Sequence, residues 1–267
     1  MSAIDQLFDR LRASGRKAFM PFITAGDPDL AFTADVIREL VARGSSMCEL
    51  GIPYSDPIAD GPVIQASYTR ALDKKIKLAA ILDTVATLTP ELAAPIVTMV
   101  SYSIVYRHGL EQYIADAKRA GVAGAIVPDM PVEESGPLAE ICRHEDFSLI
   151  QLITPLTPRE RAIRIAEQTS GFIYYVSVAG ITGERTELPQ DILDNVAWLR
   201  EQTPLPICIG FGISKPEHVK MLSPVADGLI VGSAIVRRIA QASDKPREEV
   251  LKDIGNYAAE LLAAMEA

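Results

Sequence analysis

Three closely spaced carboxylates are the side chains of this sequence best suited to chemistry. Glu49 lies in the apolar run Met47-Cys48-Glu49-Leu50, and Asp56 and Asp60 follow it in a stretch rich in turn-forming residues. A carboxyl group without a partner in apolar surroundings has a raised pKa, which suits a group that donates and accepts protons near neutral pH. Each of the three could instead cap a loop or a helix through backbone N–H groups. Their clustering favours acid–base catalysis.

Two glycine motifs indicate a binding site for an anion. Gly210-Phe211-Gly212-Ile213 and Val231-Gly232-Ser233-Ala234 each end an apolar run, and the second also opens a helical pattern. Glycine lets backbone N–H groups approach an anion closely, and a helix N-terminus adds about half a positive charge. Since neither loop supplies a basic side chain other than Lys215, we expect backbone donors and Ser233 to hold a phosphate group. The alternative is that the glycines only permit tight turns.

Several other chemistries lack the residues they need. His108, His144 and His218 fall on or near helical patterns, where we expect them at the surface, and their spacing does not suit a metal site. No lysine stands inside a predicted strand near its carboxyl end, so a Schiff-base mechanism lacks its nucleophile. No Gly-x-Ser-x-Gly motif is present either. The sequence therefore predicts metal-free acid–base chemistry on a small phosphorylated substrate.

Composition narrows the class of protein further. The 26 basic and 35 acidic residues give a net charge of −9 without a basic block, which disfavours nucleic acid as a partner. Cys48, Cys142 and Cys208 are far apart in apolar or helical settings, where we expect idle, buried thiols in a reducing cytoplasm. Asp5 and Asp9 lie where a signal peptide would be apolar, and no apolar run approaches the ~20 residues that a membrane span needs. We therefore expect neither a signal peptide nor a membrane span.

The elements that must position these groups alternate between strand and helix. Apolar, β-branched runs predict eight strands, near 18–24, 46–50, 95–101, 123–128, 147–153, 172–177, 205–210 and 226–231. Amphipathic stretches predict helices at 3–13, 29–43, 61–73, 77–89, 110–120, 133–144, 158–169, 189–202, 214–222, 233–242 and 248–265.

This alternation predicts an α/β fold, a single (β/α)₈ TIM barrel over residues 1–267, with an extra N-terminal helix and an insertion after strand 2. A doubly wound open sheet is the alternative, but no Gly-x-Gly-x-x-Gly follows the first strand. In a barrel the catalytic groups lie at the carboxyl ends of the strands. The carboxylates and both glycine motifs occupy such positions.

The motifs, in this order, resemble the tryptophan synthase α subunit family. The stretch ELGIPYSDPIADGP at 49–62 is similar to the family's acidic signature, and PFITAGDP at 21–28, PDMPVEES at 128–135 and YYVSVAGITG at 174–183 extend the likeness along the whole chain. The resemblance implies a barrel that splits indole-3-glycerol phosphate into indole and glyceraldehyde 3-phosphate. It also implies that indole passes to a β subunit in an α2β2 heterotetramer. Pyridoxal phosphate is then expected only in that subunit, with no cofactor or metal in this chain.

The resemblance also implies roles for particular residues. Glu49 would protonate C3 of the indole and serve as base toward the glycerol hydroxyl, Asp60 would bind the indole N–H, and Tyr174, or its neighbour Tyr175, would assist. The phosphate would be held by Gly183, Gly212, Gly232 and Ser233. The indole pocket would be walled by Phe22, Val100, Ile126, Ile153 and Phe211. Thr182 would close over the site and reach Asp60, and Asp56 would belong to a loop facing the β subunit.

One departure from the family pattern bears on the partner. Many members carry a Tyr-Tyr-Asn-Pro run after strand 3, where this chain has Ser101-Tyr102-Ser103-Ile104. A free-standing lyase that releases indole is therefore an alternative, and a non-catalytic subunit that only binds a phosphorylated ligand is another. Phosphate-binding barrel isomerases share the glycine motifs but do not call for the acidic loop after strand 2.

Overall fold

The computed structural model describes residues 1–57, 60–177, 190–210 and 212–266. In these ranges the strands are β1 (Ala18–Thr24), β2 (Cys48–Gly51), β3 (Ile96–Met99), β4 (Val122–Ile126), β5 (Ser148–Ile150), β6 (Leu152–Ile153), β7 (Ile173–Val176), β8 (Ile207–Gly210) and β9 (Gly228–Val231).

The helices of the same ranges are α1 (Ala3–Ala13), α2 (Leu30–Ala42), α3 (Pro62–Asp73), α4 (Leu78–Leu88), α5 (Tyr102–His108), α6 (Leu110–Arg119), α7 (Ser135–His144), α8 (Arg159–Gln168), α9 (Gln190–Gln202), α10 (Pro216–Leu222), α11 (Ser233–Ile239) and α12 (Arg247–Glu266), with a 3₁₀ turn at Ala240–Ser243 after α11. None of these helices is long and apolar enough to cross a membrane.

The strands form one parallel sheet that closes on itself. Their order is β5-β4-β3-β2-β1-β9-β8-β7-β6, and every recorded pairing is parallel. The predicted strand at 147–153 is divided by Gln151 into β5, which pairs with β4, and β6, which pairs with β7. Since β5 and β6 are one segment of chain, this segment joins both edges of the sheet. The (β/α)₈ barrel predicted from the sequence is confirmed.

Alternation along the strands produces two buried layers. The inward side chains, among them Met20, Met47 and Val97, form a cluster inside the barrel, and apolar residues of α1 pack against its lower end. The outward side chains form a larger cluster with the surrounding helices. The direction of a strand side chain therefore decides whether it can reach a site inside the barrel.

Helix α5 was not predicted from the sequence, and it lies where the chain departs from the family pattern after strand 3. Ser101 caps the helix, since its side chain accepts a hydrogen bond from the Ser103 N–H. Asp129, after β4, accepts hydrogen bonds from Ser101 Oγ and from the Tyr102 N–H, both at 2.7 Å. These contacts fix the start of α5 against the loop that follows β4.

Helix α3 belongs to the insertion after β2, and two polar contacts fix it against β1. Ser67 Oγ and Thr24 Oγ1, both buried, are 2.6 Å apart, and Ser67 Oγ also donates to the Ile64 carbonyl at 2.7 Å. Arg70 forms two hydrogen bonds with the buried carboxylate of Asp27, at 2.9 and 2.6 Å. Helix α3 therefore presents a fixed face to the mouth of the barrel.

Candidate active site

A cavity of about 340 Å³ opens at the carboxyl ends of the strands, where a barrel carries its catalytic groups. Its volume suits a small ligand. Asp60 and the start of α3 line one side of it, the loops after β8 and β9 line another, and Phe22 lies against Gly232 of the β9 loop. The lining comprises Phe22, Asp60, Gly61, Pro62, Val63, Ile64, Met99, Tyr174, Gly212, Ile213, Ser214, Gly232, Ser233, Ala234 and Arg237.

Glu49 faces the barrel interior, because it stands two residues after the inward Met47 on the same face of β2. Its neighbours across the sheet are Phe22 on β1 and Val97 on β3. The side chain is fully buried, and neither carboxyl oxygen has a hydrogen-bond partner within the described residues. Burial raises the pKa of Glu49 well above its usual range. Burial therefore favours the protonated form of Glu49, which is the form that can act as an acid.

Asp60 is a second carboxyl group with a different setting. It lines the cavity and remains partly exposed, and partial burial raises its pKa to about 6. Gln65 in α3 fixes the local backbone by donating to the Asp60 carbonyl at 2.7 Å. Asp60 is mostly ionised above about pH 6, whereas burial favours the protonated form of Glu49, so the two can take opposite roles in one reaction.

Tyr174 lines the cavity, whereas Tyr175 points outward into the layer between strands and helices. Gly210 makes this possible, because a Cβ atom there would lie 2.5 Å from the Tyr174 hydroxyl oxygen. Burial, with smaller effects from Glu49 and Asp60, raises the pKa of Tyr174 well above its usual range. The hydroxyl is therefore a neutral donor near both carboxyl groups.

The far end of the cavity carries the expected features of a phosphate site and one that was missed. Gly212 (φ +76°), Gly232 and Ser233 all line it, and Ser233 is the first residue of α11. Arg237 lines it as well, although the sequence analysis expected no basic side chain here apart from Lys215. Arg237 lies one helical turn after Ser233, and the i, i+4 spacing of α11 could have revealed it.

The side chains predicted to wall the indole pocket lie in different layers of the barrel. Phe22 lines the cavity, and Ile126 belongs to the inward cluster. Val100 and Ile153 do not face the interior, because both pack in the outward layer. Their neighbours Met99 and Leu152 have the inward direction, and Met99 lines the cavity. Val100 and Ile153 are not among the residues that line the cavity, so their assignment to the pocket wall stays a prediction.

The remaining predicted residues lie elsewhere. Asp56 is exposed outside the cavity lining and accepts a hydrogen bond from Ser55 Oγ at 2.6 Å. Gly183, Thr182 and Phe211 lie outside the described residues, so their assignments stay predictions.

The histidines and cysteines give one correction and one confirmation. His218 is 6% exposed and its Nδ1 accepts from the Ser214 N–H, so its expected place at the surface is wrong. That contact fixes the loop that follows Gly212. All three cysteines are buried with free thiols, as predicted.

Comparison with known proteins assigns the chain to a family. A family model described as "Tryptophan synthase alpha chain" matches residues 8–265. A tryptophan synthase alpha chain from Rhodopirellula baltica is 55% identical over 277 residues, covering 100% of both chains. One from Arabidopsis thaliana is 42% identical over 263 residues, covering 98% of this chain and 95% of its own.

Solved structures give the same assignment. The tryptophan synthase subunit alpha from Legionella pneumophila superposes with a TM-score of 0.91 at 30% identity, covering 100% of this chain and 99% of its own. A chain from the tryptophan synthase complex of Pyrococcus furiosus superposes with a TM-score of 0.82 at 37% identity, covering 92% and 98%.

Proposed function

The chain belongs to the tryptophan synthase alpha chain family, and on that premise we propose how its cavity cleaves indole-3-glycerol phosphate into indole and glyceraldehyde 3-phosphate. In this retro-aldol reaction a proton adds to C3 of the indole. The bond from C3 to the hydroxyl-bearing carbon then breaks, its electron pair returns to the ring, and the hydroxyl loses its proton as the aldehyde forms. Since no net proton is consumed, one carboxyl group can give a proton and take one back.

Glu49 is the acid and base of this proposal, and its burial is the observation that carries it. A neutral carboxyl group inside the barrel holds a proton that a solvent-exposed carboxylate would lose at neutral pH. The apolar interior also raises the energy of the ionised form, which favours return of a proton from the substrate hydroxyl. The donation of a proton to C3 and the return of a proton from the substrate hydroxyl therefore both depend on the burial of Glu49.

Asp60 and Tyr174 act on the ring and on the acid, respectively. Protonation at C3 leaves positive charge on the indole nitrogen, and an ionised Asp60 at the cavity wall stabilises that charge and accepts the N–H. Tyr174 lines the same cavity and offers a hydroxyl close to Glu49. With Asp60 ionised only above about pH 6, we expect the rate to rise through that pH and Asp60→Asn to abolish the rise.

The phosphate group is held at the other end, by the backbone at Gly212 and Gly232, by Ser233 and by Arg237. The first N–H groups of a helix have no partner inside the helix and point toward the ligand. Arg237 adds a full positive charge and planar donors that suit a phosphate. With the phosphate there, the indole ring would extend toward Asp60 at the start of α3.

We further propose that the chain, acting as one barrel domain, binds a β subunit at the face that carries the cavity. The relative from Pyrococcus furiosus was solved as a complex. Two large apolar side chains are exposed in segments that follow strands of the barrel, Tyr106 of α5 after β3 at 71% and Leu156 after β6 at 83%. A β subunit that covers both side chains would remove their apolar surface from water. The α2β2 stoichiometry and pyridoxal phosphate in the partner remain expectations from the family.

The experiment that tests this proposal is substrate cleavage by single-residue variants. Glu49→Gln preserves shape but holds no transferable proton, so we expect folded protein that binds indole-3-glycerol phosphate and releases no indole. Tyr106→Ser and Leu156→Ser should leave cleavage by the isolated chain unchanged and weaken stimulation by a β subunit. Full cleavage by Glu49→Gln would overturn the mechanism. Strong cleavage alone, without any effect of a β subunit, would favour the free-standing lyase.

A further inference from the structure

The hydroxyl of Tyr68, in α3, is buried and unpaired beside the interior of the barrel. The side chain is 1% exposed, and its oxygen has no hydrogen-bond partner among the residues that the structure describes. A buried hydroxyl without a partner costs roughly 1–3 kcal/mol of stability. The two carboxyl oxygens of Glu49 are unpaired in the same way. A donor and an acceptor are thus both unsatisfied in one region.

The position of Gly51 shows how the two groups are related. Gly51 stands two residues after Glu49 on β2, at the next inward position toward the cavity. A Cβ atom on Gly51 would lie 2.8 Å from the Tyr68 hydroxyl oxygen and 2.5 Å from Cζ of Phe22. The Tyr68 hydroxyl therefore lies against the strand directly above Glu49. Burial first, and then Asp60, Tyr54 and Glu49, raise the pKa of Tyr68 well above its usual range, so the hydroxyl is a donor.

The contacts that fix α3 flank Tyr68 on both sides. Ser67, the residue before it, contacts Thr24 on β1 at 2.6 Å, and Arg70 pairs with Asp27. The ring of Tyr68 also packs against that of Tyr54, with centroids 5.6 Å apart. The hydroxyl is therefore held in one place, and the side chain of Glu49, which has three rotatable bonds, is the partner that moves.

We propose that Tyr68 is a positioning residue for the cleavage, whose hydroxyl donates a hydrogen bond to the Glu49 carboxylate after Glu49 has given its proton to C3. No bond is formed or broken by Tyr68; it holds the carboxylate until the substrate hydroxyl returns a proton. This inference rests on the proposed role of Glu49. The other groups near Glu49 are the thiols of Cys48 and Cys208 and the cavity-lining Tyr174, and Asp60 lies near Tyr68 and Tyr174. Of these, Tyr174 faces the ligand, and the thiols are weak donors.

The test compares Tyr68→Phe with a matched variant, Tyr113→Phe. Tyr113 is also fully buried, but its hydroxyl pairs with Thr98 Oγ1 at 2.8 Å in the outward layer. For Tyr68→Phe we expect kcat to fall about tenfold to hundredfold, the range for a hydrogen bond to a charged group, with KM within about twofold. Tyr113→Phe should keep the parental kcat.

Two further readouts separate positioning from a structural role. The titration of Glu49, followed through its carboxyl infrared band and assigned by loss of that band in Glu49→Gln, should move to higher pH in Tyr68→Phe, because the charged form loses a donor. Tyr68→Phe should unfold at the same or higher denaturant concentration than the parent, and Tyr113→Phe at a lower one.

The outcomes distinguish this inference from the proposed function. If the parent cleaves the substrate while Tyr68→Phe keeps its kcat and an unmoved Glu49 titration, the role of Tyr68 is refuted and that of Glu49 stands. If the parent does not cleave indole-3-glycerol phosphate, the proposed function fails. A moved Glu49 titration in Tyr68→Phe would then still establish the contact between the two residues.

Discussion

A methyl group on Gly210 would occupy space that the ring of Tyr174 fills. A Cβ atom there would lie 2.5 Å from the hydroxyl oxygen and 2.7 Å from both Cε1 and Cζ of Tyr174. Because ordinary contact begins near 3.4 Å, the hydroxyl end of the ring must retreat by about 0.9 Å. The ring is 6% exposed and packed inside the barrel, so it can retreat only by displacing its neighbours or by narrowing the cavity.

For Gly210→Ala we therefore expect a loss of both stability and activity. Forcing a methyl group into a packed core lowers the free energy of unfolding by about 1–3 kcal/mol. A shift on the order of 1 Å at a catalytic site can lower the rate about 100-fold. Stability is measured by denaturant unfolding with linear extrapolation, and activity by release of indole from indole-3-glycerol phosphate. We expect kcat/KM to fall at least about tenfold.

Two comparisons make this prediction specific. Gly136→Ala places a methyl group in α7 where nothing lies within 4 Å, and we expect unchanged or slightly increased stability with parental activity. In a Tyr174→Leu background the ring is absent, so adding Gly210→Ala should cost at least about 1 kcal/mol less than in the parent. If Gly210→Ala is as stable and active as Gly136→Ala, the close approach of Tyr174 to this strand is refuted.

Three further perturbations have expected outcomes. Because the pKa of Glu49 is raised in the folded protein, its ionisation opposes folding once the pH exceeds the pKa of Glu49 in the unfolded chain. Glu49→Gln should therefore be more stable than the parent at pH 8 and should lose this advantage near pH 4. A stability difference that does not depend on pH would contradict the burial of Glu49. Arg237→Met should raise KM for the phosphorylated substrate about tenfold, while Arg10→Met at the far end of the barrel leaves it unchanged, and equal KM values would exclude the proposed phosphate contact. Arg70→Met leaves the buried carboxylate of Asp27 without its partner and should lower the free energy of unfolding, measured with denaturant, by about 3 kcal/mol. Adding Asp27→Asn should recover part of that stability.

The sequence sufficed for the parts of the fold that depend on repeated local patterns. Apolar runs and helical periodicity located the strands and most helices, because each element of a barrel repeats the same burial rule. Helix α5 was not predicted from the sequence, because it is short and is held by contacts from Asp129, a residue distant in sequence. The division of the strand at Gln151 was not predicted either, because it arises from pairing of β5 with β4 and of β6 with β7.

The residue types of the site and their order along the chain could be predicted from the sequence. Whether each side chain points into the barrel or outward could not always be predicted. Glu49 shares the face of Met47 by simple alternation, yet only the assembled barrel shows that this face is the inside. In the same way, only the assembled barrel shows that Met99 lines the cavity while its neighbour Val100 belongs to the larger core cluster. Tyr68 could not be found from the sequence, because its relation to Glu49 depends on how α3 packs over β1 and β2.

The most direct test of the central claim is the release of indole from indole-3-glycerol phosphate by the purified chain and its Glu49→Gln variant, each alone and with a tryptophan synthase β subunit. We expect equal amounts of indole and glyceraldehyde 3-phosphate from the parent, released faster with the β subunit present. We expect no indole from Glu49→Gln in either condition, although this variant binds the substrate. Indole release by Glu49→Gln at the parental rate would contradict the claim that the buried carboxyl group of Glu49 carries the proton.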